Sequence, residues 1–330
     1  MIRAALLALA LAALAPAHAA EPIVPGIAFD VGGRSDRGFN QSAERGAARF
    51  RDETGIDFRA TEAGAGGDRD AAIRRLVEGG ATDVVAVGFG QAAAVTAAAR
   101  AHPSVRFTIV DARIDAPNVR SVLFKEQEGS FLAGIIAAKA SRSGRIGFVG
   151  GMDIPVIRAF ACGYRQGARH ANGAIDLVEA MTGTTPAAFD DPARGARLAA
   201  EQFDQGVDVI FAAAGRTGLA VLQAARDHGR LAIGVDVNQN HLHPGTVLTS
   251  MVKRVDVAVY DAFRAAREGT WRPSTVSLGL SEQAVSLAFD DANAPLVSPA
   301  MRAAVYEAAE EIIEGRIVVA DYRQANACPP

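Results

Sequence analysis

The chain has 330 residues, 34 Lys and Arg against 37 Asp and Glu for a net charge of -3, and only two cysteines, Cys162 and Cys328. The near-balance of charge, with no basic run, sets aside nucleic acid and anionic membrane as partners. Two cysteines cannot build a metal cluster or a disulfide framework, and the sequence leaves open whether they pair, because it does not say how near their Cα atoms lie.

In chain order, Met1-Ile2-Arg3 precedes an apolar run over 4–15 and then Pro16-Ala17-His18-Ala19-Ala20. A basic start, a short apolar core and an Ala17-x-Ala19 site predict a secretory signal peptide over 1–20, cleaved after Ala19 or Ala20. The run is shorter than the ~20 residues a membrane-spanning helix needs. It holds no cysteine, so the expectation is a free periplasmic protein without a lipid anchor. What remains is too long for one ordinary core and predicts two domains.

The first mature segment joins an apolar strand, Ile27-Ala-Phe-Asp30, to Val31-Gly32-Gly33 and then to Phe39 and Asn40, where an amphipathic helix begins. Strands follow over 57–62, 83–88, 106–111 and 119–124, and a second series over 145–150, 175–181, 208–213, 231–235 and 247–251. Helices are predicted over 41–54, 71–78, 128–141, 156–170, 193–205, 217–228, 256–267 and 299–313, with short strands near 275–280 and 284–289. Ile27-Ala-Phe-Asp-Val-Gly-Gly opens the first series and Ile146-Gly-Phe-Val-Gly-Gly the second. Such alternation predicts an α/β fold of two doubly wound parallel-sheet lobes facing across one cleft. The expected first lobe is 21–124 with about 252–290, and the second 125–251 with about 291–330. No low-complexity linker separates them, so the hinge is expected to be several chain crossings that allow rigid-body closure.

The catalytic signals searched for are absent. The histidines His102, His170, His228, His241 and His243 have no metal-ligand spacing, and neither Gly-x-Ser-x-Gly nor a phosphate loop occurs. Gly64-Ala-Gly66-Gly67 reads as a plain turn. No cofactor, metal or enzyme activity is expected. Binding has more to offer, since Asp30, Asp111 and Asp236 each close an apolar strand and would rim the cleft, where carboxylates accept paired hydrogen bonds from hydroxyls or ring N–H groups. Phe39, Phe160 and Phe189 offer rings for stacking, against the alternative that each packs in a core, and each aspartate has the alternative of capping a helix.

These segments resemble the basic membrane protein family of substrate-binding receptors for ABC importers, which is of the type I periplasmic binding protein fold and whose characterised members bind purine nucleosides. The resemblance is carried by Asp30-Val-Gly-Gly with Gly38-Phe39-Asn40, by Phe124-Lys125-Glu126-Gln-Glu128-Gly-Ser-Phe131, and by Gly147-Phe-Val-Gly-Gly151 with Phe160. It continues through Ala214-Gly215-Arg-Thr217-Gly218 and Gly234-Val-Asp236-Val-Asn-Gln239 to Leu248-Thr-Ser-Met-Val-Lys253. It implies a nucleoside ligand, an ABC permease as partner, and no enzyme. It also implies that Phe39 stacks on the base, that Asn40 fixes the entry loop, and that Asp30 and Asp111 read polar edges. Phe160 or Phe189 would supply a second ring, Gly215 a close backbone approach, and Asp236 with Lys253 a grip on the ribose hydroxyls. Thr217 and Gln239 join the set by position in their motifs, in which Arg216 and Asn238 stand where the family often has Gly and Asp. A sugar receptor is the nearest alternative. A glycoside or nucleoside hydrolase would need a proton donor and a water base among the cleft carboxylates, and a lactose-repressor-like regulator would need a DNA-binding head that is missing.

Overall fold

Apolar runs that end in Gly or Asp become the strands of two sheets in a computed structural model that describes residues 23–63 and 67–329. The predicted signal peptide and most of the Gly64 stretch lie outside the described residues. The first lobe runs β1 (Pro25–Phe29), α1 (Phe39–Thr54), β2 (Arg59–Glu62), α2 (Arg69–Glu78), β3 (Asp83–Ala86), α3 (Ala92–Ala101), β4 (Arg106–Val110) and β5 (Val119–Phe124). The second runs α4 (Glu126–Ala140), β6 (Arg145–Met152), α5 (Pro155–Ala171), β7 (Asp176–Gly183), α6 (Pro192–Asp204), β8 (Val209–Ala213), α7 (Arg216–Asp227), β9 (Leu231–Asp236) and β10 (Val247–Lys253). The chain then crosses back as α8 (Val255–Arg267) and β11 (Ser274–Leu278), and returns as β12 (Val285–Leu287), α9 (Pro299–Ile313) and the short α10 (Tyr322–Ala325).

The sheets are ordered β11-β5-β4-β3-β1-β2 and β12-β10-β9-β8-β6-β7, so each strand of one lobe has a counterpart in the other. All pairings are parallel except β10 with β12. Parallel order demands crossover helices on both faces, and the inner strands β1, β3 and β8 are accordingly fully buried, whereas the edge strands β2 and β11 are largely exposed. Sheet membership corrects the expected boundaries. Because β12 closes the edge of the second sheet by pairing Lys253 with Val285, residues 285–287 belong with the second lobe rather than the first. The same pairing carries β10 through Lys253, past the expected end at 251. The helix α3 was not foreseen: its run of alanines has strong helix propensity but little of the apolar periodicity that marks α5, where Ile157, Phe160, Ala161, Tyr164 and Ala168 share a buried face.

Three crossings therefore join the lobes: Phe124 to Glu126, Lys253 to Val255, and the segment between β11 and β12. Beside them α4 and α5 pack backbone against backbone. A Cβ on Gly134, Gly163 or Gly167 would stand 2.1 Å from the Tyr164 carbonyl, 2.3 Å from that of Gln127 and 1.8 Å from that of Phe131, distances no side chain tolerates.

Candidate functional site

The strand ends of the two sheets face each other across a cleft of about 780 Å³, its open mouth included. From the first lobe come the loop after β1, the start of α1, Phe89 in a short helical turn before α3, and Asp111 after β4. From the second come Phe160 on α5, Phe189 in the turn after β7, Gly215 and Arg216 opening α7, Asp236 ending β9, and Lys253 ending β10.

The loop after β1 is held by α1. Asn40, 1% exposed, accepts from the Asp30 N–H at 3.2 Å and donates to the carbonyls of Asp30 and Val31 at 3.3 and 3.1 Å. Asp36 caps the helix, taking the N–H groups of Gly38, Asn40 and Gln41 at 2.9, 2.9 and 3.0 Å. Burial raises its pKa above the ordinary carboxylate value against the pull of those three amides. Capping here is done by Asp36, not by Asp30. Asp30 lines the cleft but is paired with Arg69 of α2, whose Nη2 lies 2.6 Å from its carboxylate. Arg69 Nε and Nη2 and the Val31 N–H all meet its Oδ1.

Asp111 and Asp236 close the topologically equivalent strands β4 and β9, and both adopt the left-handed region, at φ 65° and 66°. Aspartate tolerates this conformation better than most residues, and it turns the chain sharply at the sheet edge. Their surroundings differ. Lys253 Nζ, on a side chain only 2% exposed, donates to both oxygens of Asp111 at 2.8 and 2.6 Å and to Glu126 Oε1 at 2.9 Å. Burial works against the ammonium, but the carboxylates of Asp111, Glu126 and Asp236 prevail and hold its pKa above the usual lysine value. Three donors on three acceptor oxygens exhaust an ammonium. Lys253 lines the cleft as the centre of an internal ion cluster, ringed by Phe124, Phe39 and Phe160 at 4.9, 5.2 and 5.8 Å. Asp111 lines the cleft as well, with each of its oxygens accepting once from this ammonium.

Asp236 has no such partner among the described residues. Burial raises its pKa to about 7, Lys253 pulls it down, and Asp36, Asp111 and Glu126 push it up. Its carboxylate faces the cleft beside Gly38, 8% exposed.

The aromatic walls answer which ring lines the cleft, since Phe160 and Phe189 both do, with Phe39 opposite. Phe89, which sequence reasoning missed, reaches from the first lobe to Phe189 with ring centroids 6.4 Å apart. Gly215, at φ 56°, lets Phe189 close in, for a Cβ there would stand 3.2 Å from the Phe189 carbonyl oxygen. Two expected contacts sit behind the wall. Thr217, fully buried, donates to the Ala188 carbonyl at 2.9 Å and accepts from the Asp191 N–H at 2.7 Å. Gln239 accepts from the Val235 N–H at 3.0 Å and donates across the cleft to the Arg37 carbonyl at 3.0 Å. Both shape loops through these bonds.

Asp36, Phe89, Glu126 and Arg323 are the residues that sequence reading left out. Only Asp36 had a local signal, an acceptor placed just ahead of a helix start. Among the described residues no group of His, Cys, Asp and Glu is arranged to hold a metal ion. The arrangement suits a ligand with a flat apolar face and hydrogen-bond donors at its edge.

A family model described as ABC transporter substrate-binding protein PnrA-like matches residues 23–322. The chain is 33% identical over 268 residues to basic membrane protein D of Borreliella burgdorferi, covering 79% of this chain and 77% of that one. It is 31% identical over 316 residues to the ABC transporter nucleoside-binding protein BmpA of Lactococcus lactis, covering 89% and 88%. The crystal structure of an ABC transporter solute-binding protein from Aeropyrum pernix superposes with a TM-score of 0.83 at 30% identity, over 91% of this chain and 94% of that one. Two of these relatives are named for the solute or nucleoside they bind, and the fold is that of type I periplasmic binding proteins. The chain belongs to the PnrA-like family of ABC transporter substrate-binding proteins, and it is not an enzyme.

Proposed function

We propose that the cleft binds a purine nucleoside, that the lobes close on it, and that the closed form delivers it to an ABC permease in the inner membrane. The observation that carries this is one buried carboxylate, Asp236, without a hydrogen-bond partner among the described residues, in a cavity walled by Phe39, Phe89, Phe160 and Phe189. Rings of that number suit a base, which has two faces to cover, and a carboxylate accepts from vicinal ribose hydroxyls. The Lactococcus relative named as nucleoside-binding supports the reading. With Lys253 committed elsewhere, Asp236 takes the ribose and Asn40 keeps the entry loop in shape. Calorimetric titration of the purified protein tests this. Inosine should bind, hypoxanthine more weakly, and ribose weakly or not at all; ribose binding as tightly as inosine would make the protein a sugar receptor.

The same reading places the protein free in the periplasm after cleavage of the leader. Both cysteines of the chain join in a disulfide, Cys162 to Cys328 with Cα atoms 5.5 Å apart, which suits an oxidising compartment and leaves no thiol for a lipid. Mass spectrometry of a periplasmic extract should find a soluble chain beginning at Ala20 or Glu21; a membrane-bound form would overturn the placement.

A further inference from the structure

The chain's last described stretch is a strap across α5. The Ala320 N–H donates to Gln166 Oε1 at 2.9 Å, the Ala320 carbonyl accepts from Gln166 Nε2 at 3.0 Å, and further on Cys328 joins Cys162. Cys162 and Gln166 stand one turn apart on the same face of α5. Between these two anchors lies α10, and from it Arg323 points inward with 24% of its side chain exposed. Its Nε meets the Asp321 carboxylate at 2.9 and 3.0 Å, its Nη2 donates to the Phe124 carbonyl at 2.9 Å, and its Nη1 lies 2.9 Å from Glu126 Oε2.

Those partners lie at the first crossing between the lobes. Glu126, fully buried, gives its other oxygen to Lys253 at the second crossing, and Lys253 in turn holds Asp111 at the cleft. A continuous chain of alternating charges thus runs from the strap to the binding cavity. Glu126 Oε2 has no hydrogen-bonding group on it among the described residues, so Arg323 alone supplies its counter-charge. Without the guanidinium, Lys253 would face two buried carboxylates, one of them half-satisfied.

We propose that Arg323 is a positioning residue for the ligand cleft and that the Cys162–Cys328 disulfide holds it in place, so that ligand affinity follows the redox state of that bond. Reduction by a dithiol transfers two electrons to the disulfide, breaks the S–S bond and leaves thiols at 162 and 328, while the dithiol closes into its own disulfide. The strap then keeps its Ala320 anchor and loses the covalent one beyond Arg323, whose own contacts must hold α10 in place.

The test pairs a ligand-free measurement with a binding one, because inosine as probe rests on the nucleoside reading and hydrogen exchange does not. In ligand-free protein, Arg323→Ala, Cys328→Ser and dithiothreitol-reduced wild type should each exchange amides over 122–128 and 250–256 about tenfold faster than oxidised wild type, with 209–213 in the second sheet unchanged. Inosine affinity should fall about fivefold in all three. Arg323→Lys should recover most of both losses, and Arg323→Ala with Cys328→Ser should be no worse than Arg323→Ala alone. Arg316→Ala, which breaks an exposed pairing with Glu311 and Glu314, should change neither. Unchanged exchange at the two crossings would overturn the proposal, and so would acceleration spread evenly over both sheets. Should wild type ignore inosine while the crossings respond as described, the nucleoside reading fails and the positioning role stands.

Discussion

Asp111 and Asp236 occupy the same place in the two lobes, at the end of β4 and of β9, with the same left-handed backbone, yet one is paired with Lys253 through both oxygens and the other has no partner among the described residues. An aspartate that is paired inside the protein stabilises the hinge and has part of its acceptor capacity already taken. An aspartate left open costs stability and keeps its acceptor sites available. The two lobes have thus divided one structural position between holding and binding.

The most severe way to break that division is Lys253→Met. It leaves buried Asp111 without its ion-pair partner and Glu126 with Arg323 alone, and should cost about 3–5 kcal/mol in denaturant unfolding. Loss of under 1 kcal/mol would mean that the cluster is not the keystone of the hinge.

The pH dependence of stability separates the two aspartates next. With its folded pKa raised from 3.8 to about 7, Asp236 keeps a proton that the unfolded chain releases. Its favourable contribution is therefore complete below about pH 4 and disappears as the pH rises through 7. Asp236→Asn should gain on wild type by on the order of 3 kcal/mol between pH 4.5 and 8 in urea unfolding of ligand-free protein. A constant difference across that range would show that Asp236 is ionised throughout.

Phe39→Ala sharpens the binding side, weakening inosine by about 1–3 kcal/mol by calorimetry while the protein stays folded. Should thermal stability collapse with affinity intact, Phe39 is core and not platform. The smallest effect concerns one hydroxyl. If Asp236 accepts from the ribose, 2'-deoxyinosine should bind about tenfold more weakly than inosine, ~1.4 kcal/mol, and Asp236→Asn should narrow the gap; equal affinities in wild type would remove the ribose from the contact.

The strand ends were legible because the apolar run and its terminal Asp or Gly lie within a few residues, as at Ile27 to Asp30 and Ile233 to Asp236. What those ends pair with was not. Lys253 lies 142 residues from Asp111, and Arg69 lies 39 from Asp30, so only the closed topology brings each cation to its carboxylate. Thr217 and Gln239 were legible by their position in the family's motifs, but a motif does not say whether a side chain faces the ligand or braces the loop behind it. Phe89 escaped because Gly88-Phe89-Gly90 carries no periodicity, and its place is set by Phe189 from the other lobe.

The glycine contacts between α4 and α5 have a mechanical consequence. An interface made of backbone has no side-chain rotamers to freeze and no slack to take up, so the two helices behave as one stiff beam. Phe160 rides on one helix and Glu126 on the other. A ligand that presses on the aromatic wall therefore shifts the ion cluster at the hinge in the same stroke, and little of its binding free energy is lost to ordering the frame between them.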